Sequence, residues 1–257
     1  NFPQYMASYR LGFVEKGVWR YLRWFHNHTS RTFCPTASIR SLLVSKGFER
    51  IGIWGRGVDS ERFDPARRDM RCRVELGLTM DDIVFVYCGR LAAEKNLPLL
   101  MSAFRSLADP RARLLIIGDG PLRTALLADA DERVVFAGYR HGEDLARLYA
   151  AADAMVFPSV TETFGNVILE AMASGLPVVG FQVSGPQDIV LDGQTGKLVG
   201  ETTVPALARA MEHFLNHRED MRCCGIKARE YAQQQNWQQV NEVVRQAYRQ
   251  ICQGVFA

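Results

Sequence analysis

Short, unbroken apolar runs recur through the middle of the chain, each closed by glycine or proline. They are Ile83-Val84-Phe85-Val86-Tyr87-Cys88 before Gly89, Leu114-Leu115-Ile116-Ile117 before Gly118, Val134-Val135-Phe136 ahead of Gly138, Ala154-Met155-Val156-Phe157 before Pro158, and Val178-Val179 before Gly180. Runs of this length without alternation predict strands buried on both faces, as in a parallel sheet. Between them, apolar residues return at helical spacing: Leu97, Leu100, Met101 and Phe104, then Leu145, Leu148, Tyr149 and Ala152, then Ile168, Ala171, Met172 and Gly175. The first of these helices is expected to take Asn96 as N-cap, with Pro98 in its first turn. Strand and helix alternating in this order predict an α/β fold, a doubly wound parallel sheet built from right-handed βαβ units. Such sheets bind ligands beyond the carboxyl ends of their strands. The residues that follow each apolar run are therefore the first place to look for chemistry.

The flanks read differently. Residues 1–55 are dense in aromatics (Phe2, Tyr5, Tyr9, Phe13, Trp19, Tyr21, Trp24, Phe25). A strand-like Thr32-Phe33-Cys34, a helix from Ala37 to Lys46 and a strand-like Ile51-Gly52-Ile53 follow. That is too little for a closed domain and reads as the tail end of one. Residues 56–80, with Pro65 and many charges, read as a linker, and residues 204–257 as helical, with Leu207, Met211 and Leu215 on one face. The expected division is 1–60 as the remnant of a first domain, 61–235 as the sheet domain, and 236–257 as a terminal helix that crosses back to the first.

Composition narrows the class. With 257 residues, 47% hydrophobic and 23% charged, the chain is globular and not disordered. A net charge of +3 gives no reason to expect nucleic acid. No apolar run approaches the roughly 20 residues of a membrane span. Cys34, Cys72, Cys88, Cys223, Cys224 and Cys252 show no CxxC pair and no metal-ligand spacing. A reducing, cytoplasmic compartment is expected, with no metal, and Cys88 reads as a small core residue. The chain starts at Asn1 without methionine and reads as a piece of something longer.

Three post-strand segments carry candidate chemistry. In Gly89-Arg90-Leu91-Ala92-Ala93-Glu94-Lys95-Asn96, two cations flank a glycine turn that opens a helix. Backbone N–H groups, the helix dipole and a bidentate arginine suit a phosphate there; a solvated loop with a Glu94–Lys95 charge pair fits equally well. Gly118-Asp119-Gly120-Pro121-Leu122-Arg123 imitates a dinucleotide fingerprint, but Arg123 stands at the third glycine, and a tight strand-to-helix turn is the better reading. After the fourth run come Glu162 in the loop, Gly165 at the helix start and Glu170 more than a turn into the helix. Ionised carboxylates only accept hydrogen bonds and so suit sugar or ribose hydroxyls. Alternatively, Glu162 favours the helix N-terminus electrostatically and Glu170 is a surface charge. His26, His28 and His141 read as surface or packing residues.

Glu162 and Glu170, seven residues between them and Phe164-Gly165 inside, resemble the signature of the retaining glycosyltransferases of family 4, which have the GT-B fold. Gly89-Arg90-Leu91 with Glu94-Lys95-Asn96 is similar to that family's diphosphate-binding segment. Gly118-Asp119-Gly120-Pro121, Phe136-Ala137-Gly138, Leu148-Tyr149 with Ala152-Asp153, and Gly185 fall in family order. Asn1-Phe2-Pro3-Gln4-Tyr5 and Trp54-Gly55-Arg56-Gly57-Val58-Asp59 resemble the branch that holds sulfolipid synthases and glycolipid mannosyltransferases.

The resemblance implies a GT-B protein whose C-terminal Rossmann-like domain holds a nucleotide-sugar donor, GDP- or UDP-linked, as substrate, with no cofactor and no metal. Arg90 and Lys95 would neutralise the diphosphate, with Gly89 and Gly118 beside it. Glu162 would hold the transferred sugar and Glu170 the ribose. The backbone of Phe164, Gly165, Asn166 and Val167 would meet phosphate or sugar, and Tyr139 and Arg140 would edge the base. The catalytic set is then Glu162, Arg90 and Lys95. The acceptor would be a lipid or glycan, with peripheral contact at the inner face of a membrane and no nucleic-acid partner. Members of this branch carry a His-Thr just ahead of a stretch like Asn1-Phe2, so the chain is expected to bind donor and not to turn over. A nucleotide-binding module without catalysis is the alternative. An NAD-dependent oxidoreductase is disfavoured by the broken glycine fingerprint at Gly118.

Overall fold

The computed structural model describes residues 12–254. Asn1-Phe2-Pro3-Gln4-Tyr5, Tyr9 and Phe256 lie outside the described residues, as does the side chain of Phe13. Contacts divide the chain into two units, one of residues 1–57 with 237–257 and one of residues 58–236.

The larger unit is a six-stranded, all-parallel sheet, the strands running β3 (Ile83–Cys88), β4 (Ala112–Ile117), β5 (Val134–Gly138), β6 (Ala154–Phe157), β7 (Val178–Phe181) and β8 (Gly196–Val199) along the chain. Their spatial order is β5-β4-β3-β6-β7-β8. Counted from its own first strand this is 3-2-1-4-5-6, the doubly wound order with a switch point between β3 and β6. The apolar runs supply both faces, because successive side chains point to opposite sides. Val84, Val86, Leu115, Ile117, Met155 and Phe157 pack on one side with the apolar stripes of α6 (Gly142–Ala151), α7 (Asn166–Ala173) and α9 (Arg218–Gln234). Ile83, Phe85, Tyr87, Leu114, Ile116 and Val156 pack on the other with α4 (Leu97–Arg105) and α8 (Val204–Asn216). α5 (Arg123–Asp129) joins β4 to β5.

Two expectations are corrected here. The sheet has a sixth strand, β8, that the apolar pattern does not announce: only Leu198 and Val199 are apolar in Gly196–Val199, and the strand lies at the sheet edge. The segment expected as a linker belongs to the larger unit. It carries a 3₁₀ turn at Pro65–Arg67 and helix α3 (Met70–Glu75), and it buries Val58, Phe63, Cys72 and Leu78 in the core. Its charges misled because Arg73 is only 1% exposed. The guanidinium donates to the carbonyls of Thr79, Ala151 and Asp82 at 2.8, 2.8 and 2.7 Å and lies 3.5 Å from Asp153. A buried arginine reads as a loop charge in sequence.

The smaller unit holds α1 (Gly12–Asn27), β1 (Thr32–Cys34), α2 (Ala37–Ser45), β2 (Ile51–Ile53) and α10 (Trp237–Cys252). β1 and β2 pair in parallel over a small core of Cys34, Phe48 and Ile51, with Trp19, Leu22, Ile39 and Leu43 against it. Thr36 caps α2 by accepting from the Ile39 amide at 3.3 Å. Trp54 Nε1 donates to Asn241 Oδ1 at 3.2 Å, which fastens α10 to the segment after β2. Among the described residues, no helix is long and apolar enough to cross a membrane.

Candidate functional site

The site lies in the larger unit, beyond the carboxyl ends of β3 and β6, where the sheet order reverses. Backbone geometry brings the two glycine turns together. Gly118 has φ +138, and a Cβ there would lie 1.9 Å from the carbonyl oxygen of Gly89, so only glycine lets the turns after β3 and β4 touch. Below them, the buried Tyr87 hydroxyl donates to the Arg90 carbonyl at 3.0 Å. This bond shapes the turn and leaves Arg90 exposed at its crest.

The next residues form a 3₁₀ turn, Ala93–Lys95, before α4. Asn96 precedes α4 but does not cap it by its side chain, which corrects the sequence expectation. Its backbone is left-handed (φ +57), and Nδ2 donates to the Pro158 carbonyl at 3.4 Å. Thr161 Oγ1 donates to the Glu94 carbonyl at 3.4 Å. These bonds hold the loop after β6 to the loop after β3. Across that seam Lys95 Nζ and Glu162 Oε1 form an ion pair, each side chain 21% exposed. Burial lowers the Lys95 pKa from its ordinary value, with the Glu94 carboxylate opposing. Behind Glu162 stands Gly185 (φ +99), where a Cβ would lie 2.9 Å from the Glu162 carbonyl oxygen. The turn after β7 thus backs the Glu162 loop.

Beside these turns lies a cavity of ≈ 530 Å³.

 That volume falls within the roughly 300–1,000 Å³ of ordinary ligand pockets, and the mouth is open, so a longer ligand can extend out of it. Seven of the expected residues line it: Gly89, Arg90, Gly118, Tyr139, Arg140, Val167 and Glu170. Lys95, Glu162, Phe164, Gly165 and Asn166 do not. Lys95 and Glu162 meet each other in the seam, Phe164 packs against the core, and Gly165 and Asn166 form the start of α7.

The cavity wall also contains residues that sequence reasoning passed over. Arg62 and Phe63 come from the segment taken as a linker. His141, read as a surface or packing residue, lines the cavity next to Tyr139, ring centroids 5.9 Å apart. Cys88 is buried as expected of a core residue but also faces the cavity, and burial pushes its thiol up to about 11. The available signal was, for Cys88, its place at the end of an apolar run and, for His141, its place in the segment after one; Arg62 offered none.

Glu170 is not a surface charge. Burial pushes its pKa up to about 7, against the opposing effects of the Tyr149 hydroxyl and the Arg62 guanidinium. The cavity wall therefore presents the Arg90 cation and the Glu170 carboxylate, and the Lys95–Glu162 pair stands in the seam between the loops after β3 and β6. This arrangement suits a ligand that carries phosphate at one place and hydroxyls at others. Among the described residues, no group of three or more His, Cys, Asp or Glu could hold a metal ion.

Comparison with known proteins agrees with this architecture. Residues 82–217 match the family described as Glycosyl transferases group 1, and residues 1–62 match Glycosyltransferase Family 4. The chain is 34% identical over 252 residues to the sulfoquinovosyl transferase SQD2 of Arabidopsis thaliana, covering 95% of this chain and 49% of that protein. It is 36% identical over 219 residues to a GDP-mannose-dependent alpha-mannosyltransferase of Mycobacterium tuberculosis, covering 84% and 56%. The sucrose-phosphate synthase of Thermosynechococcus elongatus superposes with a TM-score of 0.82 at 26% identity, over 93% of this chain and 62% of that one. The chain spans about half the length of the curated relatives it matches. With the group 1 match covering more than half of its length, and an α/β architecture shared with GT-B neighbours, the chain belongs to the group 1 glycosyl transferases.

Proposed function

We propose that the chain binds a nucleoside-diphosphate sugar in the switch-point cavity and serves transfer of that sugar, with retention of configuration, to a lipid or glycan hydroxyl. The observation that carries this reading is the placement of Arg90 and Glu170 in the wall of the switch-point cavity, with the Lys95–Glu162 pair in the seam between the loops that follow β3 and β6. Arg90 and Lys95 face the diphosphate and stabilise the charge that develops on it as the bond from the anomeric carbon to the β-phosphate oxygen breaks. The acceptor hydroxyl attacks from the face the diphosphate leaves, and its proton passes to the departing phosphate oxygen. Glu162 accepts from the sugar's hydroxyls, Glu170 from the ribose, and Tyr139 and Arg140 flank the base, with the backbone of residues 164–167 near phosphate and sugar. Donor binding displaces the Lys95–Glu162 pair, so that each partner trades the other for the ligand. The donor is GDP-mannose or a UDP-sugar.

The larger unit is then the donor domain, and the smaller unit is the acceptor side. A lipid acceptor at the cytoplasmic face of a membrane is supported by α1, which exposes Tyr21, Trp24 and Phe25 and carries Lys16, Arg20 and Arg23. A binding module without turnover is the second reading. One observation favours it: every residue that lines the cavity belongs to the larger unit. The test is incubation with GDP-mannose or UDP-sugars and a glycolipid acceptor, with the anomeric configuration of the product read by NMR. Retained product supports transfer. Tight donor binding with no product supports the module, and inverted product contradicts retention.

A further inference from the structure

Tyr149 is completely buried, yet its hydroxyl sits where the cavity floor meets Glu170. The oxygen lies 3.5 Å from Glu170 Oε2 and 3.4 Å from the Val167 carbonyl. A phenol carries one proton to donate, so Glu170 and Val167 compete for it. We propose that Tyr149 is the positioning residue for Glu170: its hydroxyl donates to the carboxylate when Glu170 is ionised and turns to the Val167 carbonyl when Glu170 is protonated, which holds the ionised carboxylate in the orientation that meets the ligand's hydroxyls.

The deletion of this proton donor has a defined consequence. An ionised carboxylate buried without a donor is disfavoured, so the midpoint for Glu170 ionisation must rise. The groups that act on Glu170 are Tyr149 from α6 and Arg62 from the segment before α3, with Cys88 at the end of β3 against the same hydroxyl. The cavity wall adds Arg90, Asp119, Arg140 and His141. Burial already raises the Glu170 midpoint, which brings it into an accessible pH range. The ligand meaning of this arrangement rests on the proposed donor site; the effect of Tyr149 on Glu170 does not.

The experiment has two arms. In the first, the thermal stability of the ligand-free chain is followed from pH 4.5 to 9 for the wild type, Tyr149→Phe, Glu170→Gln and the double variant. The pH above which the gap between wild type and Glu170→Gln stops widening reports the ionisation of Glu170 in the folded state, and the same comparison in the Tyr149→Phe background is expected to place it at least half a pH unit higher. In the second, UDP and GDP binding is measured by calorimetry over the same range. The Glu170→Gln chain subtracts the titration of the ligand's phosphate. Tyr149→Phe is expected to bind several-fold more weakly than wild type at pH 9, where Glu170 is ionised but no longer held, and to lose the remaining affinity at a higher pH than wild type as the pH falls. A merely structural tyrosine would lower stability and affinity evenly, with no change of midpoint, and that result overturns the proposal. An unmoved midpoint in the ligand-free chain overturns it whether or not nucleotide binds. Absence of UDP and GDP binding to the wild type at pH 9, with the midpoint moved, would instead sink the donor-site reading and leave the Tyr149–Glu170 coupling standing.

Discussion

Arg90 and Lys95 are set apart by what holds them. Arg90 stands exposed above a turn fixed by Tyr87, whereas Lys95 is partly buried and paired with Glu162. Replacing either with alanine is expected to weaken UDP or GDP binding roughly 100-fold, about 3 kcal/mol by analogy with the loss of one oxyanion donor; calorimetry checks it. Glu162→Ala removes the partner that Lys95 holds in the empty site, so diphosphate affinity should not fall, while the added affinity of a sugar nucleotide over its diphosphate should disappear. Glu170 gives a stability prediction with a definite sign. Its folded pKa, about 7, lies above the ordinary 4.5, so between those values the folded state keeps a proton that the unfolded state has released. Stability therefore falls as pH rises through that window. Glu170→Gln should melt higher than wild type at pH 8 and at the same temperature at pH 4.5. The types and spacing of these four residues were legible in the sequence because each follows an apolar run or a glycine turn. The burial of Glu170 was not, since a carboxylate on an amphipathic helix looks the same on either side of the stripe, and only α6 supplying Tyr149 from elsewhere in the chain decides it.

At the scale of elements, the site is made by turns that touch. Gly118→Ala would push a Cβ to 1.9 Å from the Gly89 carbonyl in a left-handed backbone. It should destabilise the larger unit by about 2 kcal/mol or more and weaken nucleotide binding together with stability, seen as a lower unfolding midpoint in urea. Arg73→Ala leaves the carbonyls of Thr79, Ala151 and Asp82 without their donor. A loss of about 3–5 kcal/mol is expected, measured the same way, even though Arg73 lies in the segment that reads as a linker. The five apolar runs are strands in the structure because a strand covered on both faces must be apolar throughout. β8 escaped notice because an edge strand needs only partial burial. Asn96 shows a related limit: the residue type suited an N-cap, but the Pro158 carbonyl, 62 residues away, offered its side chain a different partner.

At the scale of the molecule, the two units divide the labour unequally. All of the cavity lining falls within residues 58–236, so that segment produced alone should bind nucleotide within a few-fold of the whole chain, as calorimetry would show. The doubly wound order could be anticipated from the alternation of runs and helices, since right-handed crossovers leave few ways to arrange them. The association of α10 with residues 1–57 is a long-range contact, carried by pairs such as Trp54 and Asn241, that no local pattern encodes. The central claim, that the switch-point cavity is a nucleoside-diphosphate site, is tested most directly by thermal-shift titration of the chain with UDP, GDP and NAD in the absence of divalent metal, alongside Arg90→Ala and Lys95→Ala. A ligand that binds the folded state raises its stability by RT ln(1 + [L]/Kd). The account predicts a rise in melting temperature with UDP or GDP, none with NAD, and a much smaller rise in both variants. A shift with NAD alone, or equal shifts in wild type and variants, would contradict it.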